Sequence, residues 1–347
     1  EGGKLLLAEN ELGGKLNAAS GDDDFYGVYA HDGGQATVSN VTANGTAAYA
    51  EDANSSIRVK GDALGVSLGD GAYAEGGARV VVDGDVTGTC GAYAEGKGSS
   101  VEIKGGITDT GYGVFVMDEG AVKVHKSISA LGNYKCGILA MDSGSTVEVG
   151  KDVTVSGENV TGIVVAEGAS VAIGGGVTVT GAGACGIQMV EGGTAVIEGV
   201  FTAPEAKYIM LVADEEHIED ALLLTAGNGE PGETPYQKYL VYTDDVNHVY
   251  LKIQMKSAAV GPVSGSFDKN PAKEKDVTAA ITWNDARFVR DVKAGAGSIG
   301  TGYYTVKDNT LTIKKEYLRT AGVGNLTLTI EFDAGDPAEL TIVIETT

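Results

Sequence analysis

Proline is scarce and unevenly placed in this 347-residue chain: there are six, and none precedes Pro204. Proline removes a ladder donor, so two hundred residues without one suit an uninterrupted hydrogen-bonded ladder. There is one tryptophan and there are four histidines, and no apolar run approaches the 18 residues of a membrane span. Basic residues number 25 against 48 acidic, giving a formal charge of −23 and an isoelectric point near 4.4. That balance argues against nucleic acid and anionic membrane surfaces as partners. Residues 1–212 hold 12 basic and 27 acidic groups, residues 213–257 hold 3 and 9, and residues 258–347 hold 10 and 12. The acidity is therefore concentrated in the first part. The chain opens at Glu1 without a signal peptide, and we expect a trimmed piece of a longer exported protein.

What the chain does have is repetition. Gly71-Ala-Tyr-Ala-Glu75 recurs unchanged at Gly91–Glu95, closely at Ala47–Glu51 and Gly27–His31, and more loosely from Gly113, Gly137, Gly162 and Gly186. Successive anchors lie 20, 24, 20, 22, 24, 25 and 24 residues apart, the spacing of a solenoid. Each unit reads as three short strands parted by glycine or polar turns, as in Ser170-Val-Ala-Ile-Gly-Gly-Gly-Val-Thr-Val179. The Leu-x-x-Leu-x-Leu pattern of leucine-rich repeats is missing. The expected fold of residues 1–212 is thus a right-handed parallel β-helix of about eight coils, stacked at about 4.8 Å per rung. Glycines are expected at turns that need positive φ.

Side-chain alternation sets what faces in. Counting from each anchor, the inward pairs are Val28/Ala30, Ala48/Ala50, Ala72/Ala74, Ala92/Ala94, Val114/Val116, Ile138/Ala140, Ile163/Val165 and Ile187/Met189. Between them an outward ladder is expected: Tyr29, Tyr49, Tyr73, Tyr93, Phe115, then Leu139 and Val164. Paired alanines fill little space, so either the early coils are narrow or the aromatic turns in. Beside the ladder runs an acidic column of Glu51, Glu75 and Glu95, continued one residue later by Asp118, Asp142, Glu167 and Glu191. Outward tyrosines flanked by carboxylates can stack sugar rings and bind hydroxyls, so these are the candidate ligand residues. The plainer reading is that like residues stabilise neighbouring rungs.

Cys90, Cys136 and Cys185 each precede an anchor glycine and recur on every second coil, about 10 Å apart. That exceeds disulfide reach, so three buried thiols are expected. Neither a resident cofactor nor a metal is implied. The acidic column and Gly21-Asp-Asp-Asp24 admit Ca²⁺, with solvated turns preferred. Gly120–Lys126 reads as a local basic patch on an exposed strand.

Beyond the repeats, Lys207–Val212 reads as one more core strand, Asp214–Asp220 as a charged, helical segment, and Gly227–Pro235 as loop. Tyr239–Tyr242 and Val249–Ile253 form a hairpin about Thr243–Asn247. Residues 213–257 are read as a cap and linker over the last coil. Residues 258–347 carry strand candidates at Val263–Phe267, Asp276–Trp283, Tyr303–Val306, Thr310–Ile313, Asn325–Phe332 and Glu339–Glu345, a β-sandwich pattern with Trp283 in its core.

Here Gly265-Ser-Phe-Asp-Lys-Asn-Pro271, Lys275-Asp-Val-Thr278, Tyr304-Thr-Val306, Leu311–Leu318, Val323-Gly324 and Leu328–Gly335 resemble the X2 module. The resemblance implies an immunoglobulin-like β-sandwich found in secreted or surface proteins of Gram-positive bacteria, often beside polysaccharide-degrading enzymes. Tyr303-Tyr304 and Trp283-Asn284-Asp285 depart from the usual pattern, so no binding residue is carried over. The repeats resemble right-handed β-helices in general, some of them pectate lyases or polygalacturonases. Such chemistry needs converging carboxylates with an Arg, Lys or His. Residues 1–212 hold only Arg58, Arg79, His31 and His125 as arginines and histidines, and their carboxylates repeat rather than converge. The expectation is therefore an extracellular or surface adhesin or spacer, monomeric and non-enzymatic, engaging polysaccharide, host glycan or a cell-wall component. A β-helical lyase or hydrolase is the alternative.

Overall fold

The computed structural model of the chain describes residues 4–6, 16–18, 26–66, 68–213, 221–233, 235, 238–253, 256–263 and 266–347. It divides into two compact units, Glu1–Ile253 and Gln254–Thr347.

The first unit is a parallel β-solenoid of about eight turns. Each turn contributes three strands. The first face takes the anchor phrases, from Val28–Ala30, Ala48–Ala50 and Ala72–Glu75 to Thr161–Ala166, Cys185–Val190 and Ile209–Val212. The second face runs from Lys4–Leu6 and Gln35–Val38 to Ser170–Ile173 and Thr194–Ile197. The third runs from Leu16–Ala18 and Val41–Ala43 to Val177–Thr180 and Phe201–Thr202. In two turns the third and first faces join without a break, as Val86–Glu95 and Ile107–Met117. Like residues stack in register: Tyr29 on Tyr49, Tyr49 on Tyr73, Tyr73 on Tyr93 and Tyr93 on Phe115.

All eight inward pairs are buried, and with the isoleucines and valines of the other two faces they form one continuous core. The alanine turns do not draw the aromatics inward. Branched residues such as Ile57, Val59, Val80 and Val82, inward from the second face, join the alanines in that core.

The turn glycines divide into two kinds, and only one is the positive-φ kind. The corner after the first face has positive φ in all eight anchor repeats: Asp32, Asp52, Gly76, Gly96, Asp118, Asp142, Glu167 and Glu191. The acidic column is therefore two columns. Glu75 and Glu95 end their strands and Glu51 directly follows its own, and in register with Glu95 stands Met117. The later acidic residues instead occupy the left-handed corner that Gly76 and Gly96 fill elsewhere. The anchor glycines serve a different need. A Cβ on Gly91 would lie 2.1 Å from Ile107 Cγ2 and 2.7 Å from the Gly113 carbonyl oxygen, so at this corner glycine is required by space.

At the far end the chain reverses. Ile209–Val212 joins the first face as expected, and Leu222–Leu224 pairs with it antiparallel. His248–Lys252 extends the second face, and Tyr239–Thr243 folds back on it as the second arm of a hairpin. Asn247, fully buried, accepts the N–H groups of Gly192 and Gly193 at 3.0 and 3.2 Å and donates to the carbonyl of Val212 at 2.9 Å. The stretch expected as loop contains a short 3₁₀ turn, Ala226–Asn228, and the paired Glu230–Pro231. The charged segments Gly21–Asp24 and Asp214–Asp220 lie outside the described residues.

The second unit is a two-sheet sandwich. One sheet holds Ala259–Val263, Val277–Thr282, Thr310–Ile313 and Tyr304–Lys307. The other holds Phe267–Asp268, Ala338–Glu345, Gly324–Phe332, Val289–Ala294 and Gly297–Ser298. Phe267, Ile281, Leu311, Leu328, Ile330 and Ile342 meet in its core. The strand expected at Val263–Phe267 is instead two pieces in different sheets, ending at Val263 and beginning at Phe267. Val289–Ala294 was not legible as a strand, because Arg290, Asp291 and Lys293 blur its alternation.

Candidate functional site

The aromatic residues singled out on the first face lie in one column. Ring centroids are 5.1 Å apart for Tyr29 and Tyr49, 4.8 Å for Tyr49 and Tyr73, 4.3 Å for Tyr73 and Tyr93, and 4.7 Å for Tyr93 and Phe115. Parallel stacking of equivalent strand positions forces this spacing, since it is the rung repeat itself. Tyr26, not anticipated, joins the stack against Tyr29 and Tyr49. Above Phe115 the column turns aliphatic with Leu139 and Val164.

The stack changes what the ladder can offer. Ring faces are spent on neighbouring rings, so Tyr49 is only 7% exposed although it points away from the core, whereas Tyr29 at the end is 43% exposed. A ligand along the ladder meets ring edges, hydroxyls and carboxylates. Tyr29 donates to Glu51, Tyr73 to Glu75 and, at 3.0 Å, to Glu95, and Tyr93 to Glu95 at 2.6 Å. The hydrogen bond to Glu51 lifts the Tyr29 hydroxyl to about 12, with burial adding to it. Burial first, and then Glu75 or Glu95, holds Tyr49, Tyr73 and Tyr93 far above the usual phenol range. The carboxylates in this strip thus accept protons in hydrogen bonds from phenols that stay neutral.

The three cysteines are buried and make no disulfide, as their spacing required. Their thiols donate to the carbonyls of Ala92, Ile138 and Ile187. Burial lifts Cys185 to about 11, which leaves it a thiol rather than a nucleophile. Among the described residues, no three His, Cys, Asp or Glu side chains converge as a metal site would require. The basic stretch about Lys123 is partnered: Lys123 forms an ion pair with Glu148 at 2.6 Å, and His125 a hydrogen bond with Glu102 at 3.1 Å.

In the second unit Trp283 is half-buried, edge-on to Phe332 with centroids 6.0 Å apart, and its indole N–H donates to Asn309 at 2.9 Å. Of the pair that departs from the X2 pattern, Tyr304 is buried and Tyr303 is exposed, 5.7 Å from Tyr317. The most exposed aromatic here is Phe288, at 56%. Its turn is held by Asp333, which accepts the N–H groups of Arg287 and Phe288 at 2.8 and 3.1 Å and is held below the usual carboxylate range by them.

The comparisons with known proteins cover about a quarter of the chain. Over 90 residues the chain is 38% identical to Cellulose-binding protein A of Clostridium cellulovorans, a match spanning 25% of this chain and 5% of that protein. Over 92 residues it is 32% identical to Exoglucanase-2 of Thermoclostridium stercorarium, spanning 26% and 10%. The chain thus spans only a small part of either relative. A tri-modular GH5 (subfamily 4) endo-β-1,4-glucanase from Bacillus licheniformis aligns at 22% identity over 26% of this chain and 18% of that chain, with a TM-score of 0.23. The family model for carbohydrate binding domain X2 matches residues 260–342. The second unit therefore carries an X2 carbohydrate binding domain, joined in one chain to a β-solenoid.

Proposed function

We propose that this chain is a non-enzymatic, exported, glycan-binding surface protein in which the X2 domain engages polysaccharide and the solenoid serves as an adhesin or spacer. The X2 match over residues 260–342 carries this reading. Phe288, presented outward on a turn fixed by Asp333, is the residue assigned to stack on a sugar ring. The first-face strip, from Tyr29 and Glu51 to Tyr93, Glu95 and Phe115, is assigned a lesser, edge-on contact with sugar hydroxyls. The non-enzymatic part is supported by the commitment of Glu51, Glu75 and Glu95 to tyrosine hydroxyls in a repeating pattern.

The test is depletion of the full chain from solution by insoluble cellulose and by bacterial cell-wall polysaccharide. Binding is expected, weakened by Phe288→Ala. Failure to bind either, or release of reducing ends from cellulose or pectin, would sink the proposal.

A further inference from the structure

The second face of the solenoid carries three shallow hollows of about 390, 530 and 280 Å³. They run end to end: the first two share Arg79 and Glu102, and the last two share Lys123, His125 and Glu148. Together they make one open groove along the stacking axis, crossing the strands from Gln35 to Glu198.

This groove gathers four basic side chains of an otherwise acidic unit. Both arginines of residues 1–212 are here, with Lys104, Lys123 and His125. Arg58, Arg79, Lys104 and Lys123 come from four successive rungs, so at about 4.8 Å per rung they span about 14 Å. Beneath them the carboxylates are shared. Asp83 takes Arg58 at 2.8 Å and Lys104 at 2.7 Å, and Glu102 takes Arg79 at 2.8 Å and His125 at 3.1 Å. Around Asp83 and Glu102 the two layers differ in depth: the four cationic side chains are 42 to 59% exposed, against 21% for Asp83 and 27% for Glu102, whereas Glu148 beside Lys123 is 60% exposed. The carboxylates fix the positions of the cations, and the cations are what an incoming molecule meets. Arg58 is gripped by Asp83 through three hydrogen bonds of 2.8 to 3.1 Å, which leaves it preorganised. Arg58, Arg79, Lys104, Lys123 and Lys252 face Asp83, Glu102, Glu148 and Glu198, a net positive charge before His125 is counted. At about 0.15 M salt the screening length is about 8 Å, so a ligand in the groove feels this local surplus more than the acidic remainder.

We propose that the groove binds a linear anionic polysaccharide, its carboxylate or sulfate groups paired with Arg58, Arg79, Lys104 and Lys123 and its chain laid along the stacking axis. This goes beyond the X2 reading and does not depend on it.

The test is affinity electrophoresis of the full chain at about 0.15 M salt in gels holding polygalacturonate, heparin, duplex DNA or neutral hydroxyethyl cellulose. Retardation is expected in polygalacturonate, heparin or both, which also identifies the anion, and not in DNA. Arg58→Gln with Arg79→Gln should weaken it about tenfold or more, whereas Lys97→Gln, off the groove, should not. Glu102→Gln keeps the shape, removes a carboxylate and should strengthen it, a gain that misfolding cannot mimic. The proposal falls if neither anionic polymer retards the chain, if DNA retards it equally, if Lys97→Gln matches the arginine variant, or if Glu102→Gln does not tighten binding. It also falls if the arginine variant loses neutral-glucan retention. Unchanged neutral-glucan retention with no polyanion binding would overturn the groove and leave the X2 reading standing.

Discussion

The rings of Tyr73 and Tyr93 lie face to face at 4.3 Å with an interplanar angle of 7°, and both hydroxyls donate to the same carboxylate, Glu95. This pair makes the column a hydrogen-bonded strip as well as an aromatic stack. It also sets an alkaline limit on the solenoid. The folded hydroxyls ionise above their unfolded value of 10.0, Tyr29 at about 12 and the inner ones higher. Stability from these groups is complete below pH 10 and is lost as pH rises beyond it, because the unfolded chain releases protons first. Absorbance titration at 295 nm should show these tyrosines ionising together with loss of the β signal. Free titration near pH 10 in the folded protein would contradict the stack. Tyr73→Ala should cost about 2 to 4 kcal/mol in denaturant unfolding.

Asp70 offers a test at the acid side. It is half-buried, accepts the Cys90 N–H at 3.2 Å, and burial raises it from 3.8 to about 6. A raised carboxyl favours the protonated fold, so its contribution is present below pH 4 and is lost as pH rises through 6. Asp70→Asn should flatten that part of the melting-temperature profile and stabilise the protein at pH 7 by up to about 2 to 3 kcal/mol. A variant no more stable than the parent at pH 7 would show the carboxylate to be well solvated.

Two glycines separate conformational need from spatial need. Gly96 has φ of 89° with only ordinary contacts around a built Cβ, so Gly96→Ala should cost about 1 to 2 kcal/mol. Gly91→Ala places a methyl 2.1 Å from Ile107 and should cost more than about 3 kcal/mol, or prevent folding. Equal losses in urea unfolding would erase the distinction.

Asn247 closes the last turn. Replacing it with Leu strands the N–H groups of Gly192 and Gly193 and the Val212 carbonyl, costing about 2 to 4 kcal/mol. Amide exchange should accelerate first in Cys185–Val190 and Ile209–Val212. Uniform acceleration over all turns would mean that the end is not a separate unit.

The solenoid was legible because its period is printed in the anchor phrases and its alternation in the alanine, valine and isoleucine pairs. The X2 domain was legible because its phrases survive over most of residues 260–347. What stayed hidden depends on register. Glu95 and Met117 share a column although their surroundings in the sequence place Asp118 in the acidic series, and the corner with positive φ explains the offset. Ion pairs of the second face such as Arg58 with Asp83, Lys104 with Asp83 and Lys123 with Glu148 join residues 21 to 25 apart, and no local pattern marks them. Phe288 lies outside any alternating strand, so nothing in its neighbourhood announced an exposed ring.

The reversal at the far end has one more effect. Parallel rungs present an open row of donors and acceptors that would recruit an identical chain, and growth of that kind has no natural stop. By turning Leu222–Leu224, Tyr239–Thr243 and Glu230–Pro231 against the direction of the preceding rungs, the solenoid ends in strands that a further copy cannot continue in phase. Its length is thereby written into the gene rather than left to polymerisation.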